Sequence, residues 1–413
     1  MKHVIGARCV ACGKETQARE GTLTCPSCQG ILDIQYDYAG LRQSLNPRTL
    51  ADRKDPSMWR YLEWLPVPQD RIPEGLRIGG SPLYQAPRLA KILGLKTLYI
   101  KDDGLNPTAS LKDRASALAV FRAEAAGAST IACASTGNAA SSLAGNSAAR
   151  GLKSYIFVPA RAPMGKIAQL LIFGANVIKV KGSYEETFRL SAEAIERWGW
   201  YNRNAAINPY LSEGKKTVSY EIVEQLNWKV PDYVAVSVGD GCTIAGVWKG
   251  FKDLFHMGFI DRLPKLISVQ AKGCNPINYG VDQQCALLPM EENTCADSIA
   301  VGVPRNYDKA VQAIIESKGL TLNVSDEEIL AAMGLLGRTC GVFGEPAGVT
   351  ATAGIKKALE QGLLPEDASV VSLVTGNGLK DIKNAIEASG QCPEIEPSMG
   401  QLLEAFKKIQ GPA

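Results

Sequence analysis

The stretch Asn106-Pro107-Thr108-Ala109-Ser110-Leu111-Lys112-Asp113-Arg114 decides how this chain is read. An apolar, β-rich run at 98–101 precedes it, and an amphipathic stretch over 111–126 follows it. The same succession recurs along the chain. Short β-rich runs at 130–134, 154–159, 177–180, 233–238, 266–269 and 370–374 alternate with helical stretches at 139–150, 166–173, 184–197, 218–226 and 244–256. Strands alternating with helices of this length form βαβ units with parallel sheets. In a chain of 413 residues the expected architecture is α/β, with two lobes, parallel sheets and a ligand cleft between the lobes. The divisions are a Cys- and Gly-rich segment at 1–35 and a Trp- and Pro-bearing connector at 36–80. A first lobe at 81–230 carries Lys112, and a second lobe runs over 231–413.

Composition removes several classes of function. Lys and Arg number 45 against 42 Asp and Glu, a net charge of +3. A protein working by phosphate neutralisation on nucleic acid is usually far more basic, so no nucleic-acid partner is expected. There is no apolar run of eighteen residues and no apolar stretch of the secretory kind near Met1, so the expectation is a soluble cytoplasmic chain without a membrane partner. Only His3 and His256 are present, which leaves little material for a histidine base or a polyhistidine metal site. The chemistry must come from lysine, hydroxyls, carboxylates or a cofactor.

Eleven cysteines, an odd number, argue for reduced thiols rather than a disulfide framework. Four of them form two Cys-x-x-Cys turns, Cys9/Cys12 and Cys25/Cys28. Two such turns present four thiolates to one tetrahedral Zn2+. A segment this short can hardly fold on apolar burial alone, so a structural zinc ribbon is the expectation.

Four segments carry site chemistry, each where a strand gives way to a loop or helix. Lys112 opens a helix, where the positive helix end favours the neutral amine needed for a Schiff base. Ala134-Ser135-Thr136-Gly137-Asn138-Ala139 combines hydroxyls with a helix N-terminus, a setting for a carboxylate or phosphate. Gly239-Asp240-Gly241-Cys242-Thr243 lets backbone N–H groups converge on a phosphate. Thr375, after the run at 370–374, offers a hydroxyl to a ring nitrogen.

Together these motifs resemble the threonine synthase family of fold-type II pyridoxal-5′-phosphate enzymes, relatives of the tryptophan synthase β-subunit. Further matches are Gly79-Gly80-Ser81-Pro82-Leu83, Asn208-Pro209, Glu213-Gly214, Lys216-Thr217 and Glu345-Pro346-Ala347. The resemblance spans nearly the whole chain, including the four-cysteine ribbon. It implies that pyridoxal phosphate is bound covalently by Lys112, which also serves as the general base. It further implies that Asn138 meets the ring hydroxyl, Gly239–Thr243 cradles the cofactor phosphate and Thr375 meets the pyridine nitrogen. Ser135 and Thr136, with Asn138, would hold the carboxylate of a small amino-acid substrate, and a homodimer is expected. The implied reaction makes L-threonine and phosphate from O-phospho-L-homoserine and water.

The chain departs from the family pattern around both phosphates. Ala139, Ala205, Ala206 and Leu211 stand where the family binds the substrate's phosphate, and the phosphate loop gains Asp240 and Cys242. Two expectations follow. Lys101 and Lys215 would restore the lost charge, or the enzyme is a diverged lyase of the serine/threonine dehydratase type, or a β-replacement synthase, acting on an amino acid without phosphate. Asp240 would bind an ammonium-bearing substrate or cap the helix that follows. Cys242 is read as a small loop residue beside the cofactor phosphate.

Overall fold

A computed structural model describes residues 1–18, 22–70, 72–162, 164–205, 207–390 and 392–410. Ala206 therefore lies outside the described residues.

The N-terminal segment forms a small antiparallel sheet in which β1 (Val4–Cys9) lies between β2 (Glu15–Thr16) and β3 (Leu32–Tyr36). Two larger sheets follow. One has six strands in the order β12 (Leu320–Val324), β11 (Lys265–Ala271), β10 (Tyr233–Ser237), β13 (Ser369–Val374), β5 (Thr97–Asp102) and β4 (Leu83–Gln85). All its pairings are parallel except that of β4 with β5. The other, entirely parallel, runs β8 (Asn176–Val180), β7 (Lys153–Pro159), β6 (Thr130–Ala134) and β9 (Tyr201–Asn202).

The apolar runs that announce these strands are continuous because both sheet faces are covered. Val234, Val236, Val371 and Leu373 pack with Ile244, Val247 and Phe251 of the helix Cys242–His256. Their neighbours Ala235, Val370 and Val374 point the other way, into a core with Val349, Ala351 and Ile355 of the helix Pro346–Glu360. In the smaller sheet, Ile131, Cys133, Ile156 and Val158 meet Ala119 and Ala123 of the helix Lys112–Ala125 and Leu143 of the helix Asn138–Arg150. No described helix is long and apolar enough to cross a membrane.

Three elements differ from the sequence reading. Strands β4 and β5 fall within the segment assigned to the first lobe, yet they hydrogen-bond into the sheet built from residues 233–374. Strand β12 was not anticipated: in Leu320-Thr321-Leu322-Asn323-Val324 only Leu322 and Val324 are buried, the half-covered pattern of an edge strand. The connector is part of the core. Trp59, Tyr61 and Trp64 are buried, and Trp64 packs at 4.9 Å between ring centres on Tyr220.

The lysine helix is anchored two residues beyond its start. Arg114 is fully buried and donates to Asp103 (2.7 and 2.9 Å) and to Glu221 (2.6 and 2.8 Å). Burial alone would raise the Glu221 carboxyl, but Arg114 and Lys101 outweigh it and hold it down at about 2. A second constraint is steric. A Cβ on Gly214 would fall 2.2 Å from the Arg114 carbonyl oxygen. Only glycine there lets the helix Tyr210–Lys215 approach the lysine helix closely enough to set Lys215 beside Lys112.

Replacing Glu221 with Gln leaves two buried cations short of an anion, an imbalance that costs on the order of 3–5 kcal/mol. The urea midpoint of Glu221→Gln should fall accordingly at unchanged slope. A loss below ~1 kcal/mol, the scale of a surface pair, would count against this frame.

Candidate active site

A cavity of about 720 Å³ opens at the C-terminal ends of β6 and β10 and is lined by Ser135, Thr136, Gly137, Asn138, Tyr184 and Asp240 among others. A smaller chamber of about 70 Å³ shares Lys112, Asn138, Ala139, Arg203, Ala205 and Asp240 with it. The smaller chamber is completed by Gly239–Thr243, Lys215, Leu211, Glu345 and Thr375. Ligands of open parallel sheets bind at such strand ends, where loops lead into helices.

Lys112 is the first residue of its helix. Its amine makes no hydrogen bond or ion pair among the described residues. Burial and the neighbouring Lys215 pull it down to about 8. The sequence reading credited the helix end; the surroundings name desolvation and a second cation as the leading causes.

The loop Gly239–Thr243 leads into the fifteen-residue helix Cys242–His256, whose first N–H groups face the chamber. Gly241 sits at φ +87°, and a Cβ on Gly239 would come within 2.7 Å of Ile299. The loop thus follows a path only glycine permits, and it offers backbone donors at the positive end of a helix. Asp240 borders both chambers, and it does not cap the helix that follows. Its carboxylate accepts from the Arg305 backbone N–H (2.9 Å) and from Asn306 Nδ2 (2.7 Å), pinning a neighbouring loop. Cys242 is buried against the smaller chamber.

Across the site, Asn138 Nδ2 donates to Glu345 Oε1 at 2.5 Å. Burial pushes the Glu345 carboxyl up to about 7, with Asp297 adding to the rise. Ser135 Oγ accepts the Gly137 N–H at 3.2 Å, while Thr136 lines the larger cavity. The Thr375 hydroxyl makes no hydrogen bond among the described residues, and its carbonyl accepts the Leu111 N–H at 2.9 Å. Thr375 is thus fixed by its backbone while its side chain stays available to the chamber. A free amine, backbone donors on a glycine path and an unpartnered hydroxyl fit an aromatic aldehyde that carries a phosphate.

Two cations expected to act together are separated. Lys215 borders the smaller chamber. Lys101 does not reach either cavity, and its assignment to substrate is corrected: it is fully buried, with Nζ on Glu221 (2.7 Å), the Ser81 carbonyl (2.6 Å) and Gln225 (2.9 Å). A lysine so paired has no free valence for a ligand. The sequence reading missed Arg203, which borders both chambers just after β9. No local motif marks it; the only signal would have been the pairing of β9 with β6, which fixes its backbone.

The region 75–376 matches the family described as pyridoxal-phosphate dependent enzyme. The fold is that of this class of enzyme. Within it, the chain belongs to the threonine synthase family. It is 41% identical to threonine synthase of Methanocaldococcus jannaschii over 97% of this chain and 99% of that one. It is 37% identical to that of Methanosarcina acetivorans, over 97% and 98% of the two chains. The threonine synthase of Mycobacterium tuberculosis is 38% identical over 82% and 91%. Among solved structures, threonine deaminase isoform 2 of Solanum lycopersicum aligns with a TM-score of 0.64 at 22% identity, over 75% of this chain and 88% of that one. Diaminopropionate ammonia lyase of Escherichia coli gives 0.66 at 19%, over 83% and 94%. At these identities the two structures speak for the fold.

A lysine with a pKa of about 8 is half neutral at that pH and about nine-tenths neutral at roughly pH 9. The cofactor-free protein should therefore capture pyridoxal phosphate at a rate that climbs with pH and levels off above roughly pH 9, followed by visible absorption. An ordinary lysine would keep gaining rate to roughly pH 10. Lys112→Ala should show no covalent capture at all.

Proposed function

We infer that this chain is a threonine synthase, converting O-phospho-L-homoserine and water into L-threonine and phosphate. One observation carries the choice of a phosphorylated substrate. Lys112, Arg203 and Lys215 border one small chamber, and none forms an ion pair with a carboxylate among the described residues. With Lys112 taken up by the cofactor, Arg203 and Lys215 remain in need of anions, and a cofactor phosphate and a substrate phosphate supply them. An unphosphorylated amino acid, the substrate of a dehydratase, would leave this charge half answered.

Bound pyridoxal phosphate supplies an electron sink next to the substrate's α-carbon. Lys112 holds the cofactor and, once released, takes the α-proton and returns protons along the substrate chain. An amine near 8 suits both directions of transfer near neutral pH. Gly239–Thr243 holds the cofactor phosphate by backbone N–H groups, and Thr375 offers a neutral hydroxyl to the ring nitrogen. Asn138, oriented by Glu345, meets the ring hydroxyl, and Ser135 and Thr136 at the start of the helix Asn138–Arg150 hold the substrate carboxylate. Lys215 serves the phosphate side. Over the reaction Cβ gives up a proton and Cγ takes one to become the methyl group, as the Cγ–O bond breaks with its electron pair leaving on phosphate; the OH of water adds at Cβ and its other proton goes to the phosphate.

The four ribbon sulfurs lie within 4.8 Å of one another. The Cys12 and Ser27 N–H groups reach the Cys9 and Cys25 sulfurs at 3.5 Å, contacts that favour thiolates. We assign a structural Zn2+ to them. The four-part division drawn from the sequence is kept, with β4 and β5 moved to the second lobe. Its eleven cysteines are all free, as a reducing cytoplasm would keep them. A homodimer is the proposed assembly.

The deciding assay follows inorganic phosphate and L-threonine together from O-phospho-L-homoserine. Equal amounts of both are expected; a 2-keto acid with ammonia instead would make the enzyme a dehydratase. Separately, the purified chain should hold one zinc, and Cys12→Ser with Cys28→Ser should lose it. Metal retained by that double variant would overturn the ribbon assignment.

A further inference from the structure

We propose that Arg203 is the residue that reads the substrate's phosphate ester and so sets substrate specificity. The proposal rests on the threonine synthase reading and deepens it.

Arg203 is held in place from both ends. Its backbone N–H donates to the Ala132 carbonyl at 3.0 Å, extending the pairing of β9 with β6. The next residue, Asn204, accepts the Ala134 N–H at 2.8 Å through its side chain. The guanidinium itself rests on Ser116, one helical turn beyond Lys112. Nε and Nη2 donate to Ser116 Oγ at 3.1 and 3.0 Å, and Ser116 is in turn hydrogen-bonded to Ser142 at 2.6 Å. These contacts use two of the five N–H groups of the guanidinium and leave three for a ligand.

The side chain is only 2% exposed, and burial lowers its pKa. A guanidinium nevertheless stays charged at every working pH. A buried permanent cation that rests on the Ser116 hydroxyl and meets no carboxylate among the described residues is unfavourable until an anion arrives. Two anions are available in the proposed reaction. The cofactor phosphate already has the backbone donors of Gly239–Thr243, which line the smaller chamber alone apart from Asp240. Arg203 borders both chambers and so stands where the larger cavity, with room for substrate, meets the cofactor end. Around it, Ala139 and Ala205 contribute no polar side chain to either wall, and Leu211 none to the smaller one. Arg161 and Arg305 line the larger cavity alone, whereas Arg203 is the arginine common to both chambers. Its planar fork suits two oxygens of one phosphate, which a lysine cannot match.

The test compares wild-type holoenzyme with Arg203→Gln and Arg203→Lys. Three quantities are read: pyridoxal phosphate affinity, binding of inorganic phosphate by calorimetry, and KM for O-phospho-L-homoserine. Arg203→Gln should weaken inorganic phosphate at least tenfold and raise KM by a similar factor. Cofactor affinity, and the spectral response to L-threonine, should stay within twofold. Arg203→Lys should fall between the two. Loss of cofactor affinity alongside, or phosphate binding that does not change, overturns the proposal. If Arg203→Gln does not fold, Ala205→Asp places an anion in the same lining with Arg203 intact; it too should abolish phosphate binding and spare the cofactor. If the wild type fails to turn over O-phospho-L-homoserine while inorganic phosphate still binds through Arg203, the threonine synthase reading fails and the anion site stands. Wild-type holoenzyme that binds no phosphate overturns the site itself.

Discussion

The buried guanidinium of Arg114 ties three parts of the chain together within two residues of Lys112. Asp103 comes from the end of β5, and Glu221 from the helix Thr217–Gln225, which also receives Lys101. The pairing is reciprocal, with two carboxylates facing two cations, and Ser81 and Thr217 fill remaining donors. Ion pairs this deep give little net stability against an apolar alternative. What they give here is position: the first turn of the lysine helix cannot rotate or slide without breaking several charge-assisted hydrogen bonds at once.

A second charged junction connects the N-terminal ribbon to the same region. Asp33 on β3 receives Lys249 (2.9 Å) and Lys309 (3.2 Å), from the helices Cys242–His256 and Tyr307–Glu316. Tyr36 donates to Glu213 at 2.5 Å, and Glu213 also meets Lys216 and Lys249 at 2.8 Å. Glu213 stands two residues before Lys215. The ribbon is thus braced against the helix that begins at the Gly239–Thr243 loop and against the segment that presents Lys215. Leu32 and Ile34 of the same segment share one apolar cluster with Val247 and Ala313 of these helices, so apolar contact accompanies the ion pairs.

The parts of the fold legible in the sequence were those with a continuous apolar run ended by a glycine, hydroxyl or lysine turn. Strand β6 matched residue for residue, and the helices at Lys112, Asn138 and Tyr184 began within one residue of expectation. The edge strand β8 was legible, but two other edge elements were not: β12 alternates Leu, Thr and Asn because one side is only partly covered, and β9 is two residues long. The same split governs the site. Lys112, Asn138, Thr375 and the Gly239–Thr243 loop sit on strand-to-helix junctions, where motif and position coincide. Lys101 sits on a strand one pleat away, and its fate was decided by Glu221, 120 residues later. Asp240 was likewise claimed by Asn306, 66 residues on.

Arg114 and Arg203 show how charge separates frame from site. Both are buried arginines, exposed by 0 and 2%. Arg114 meets two carboxylates, which hold its pKa well above the usual guanidinium value despite burial. Arg203 meets only serine, and burial draws its pKa down. Sequence cannot tell the two apart, because Glu221 lies 107 residues from Arg114 and Arg203 meets no carboxylate among the described residues. A chain that buries a cation without a carboxylate destabilises its ligand-free state, and that cost returns as affinity when the missing anion binds. The rigid, fully paired frame around Arg114 is what lets the unpaired charges of Lys112, Arg203 and Lys215 stay close together in the cavity instead of turning outward to water.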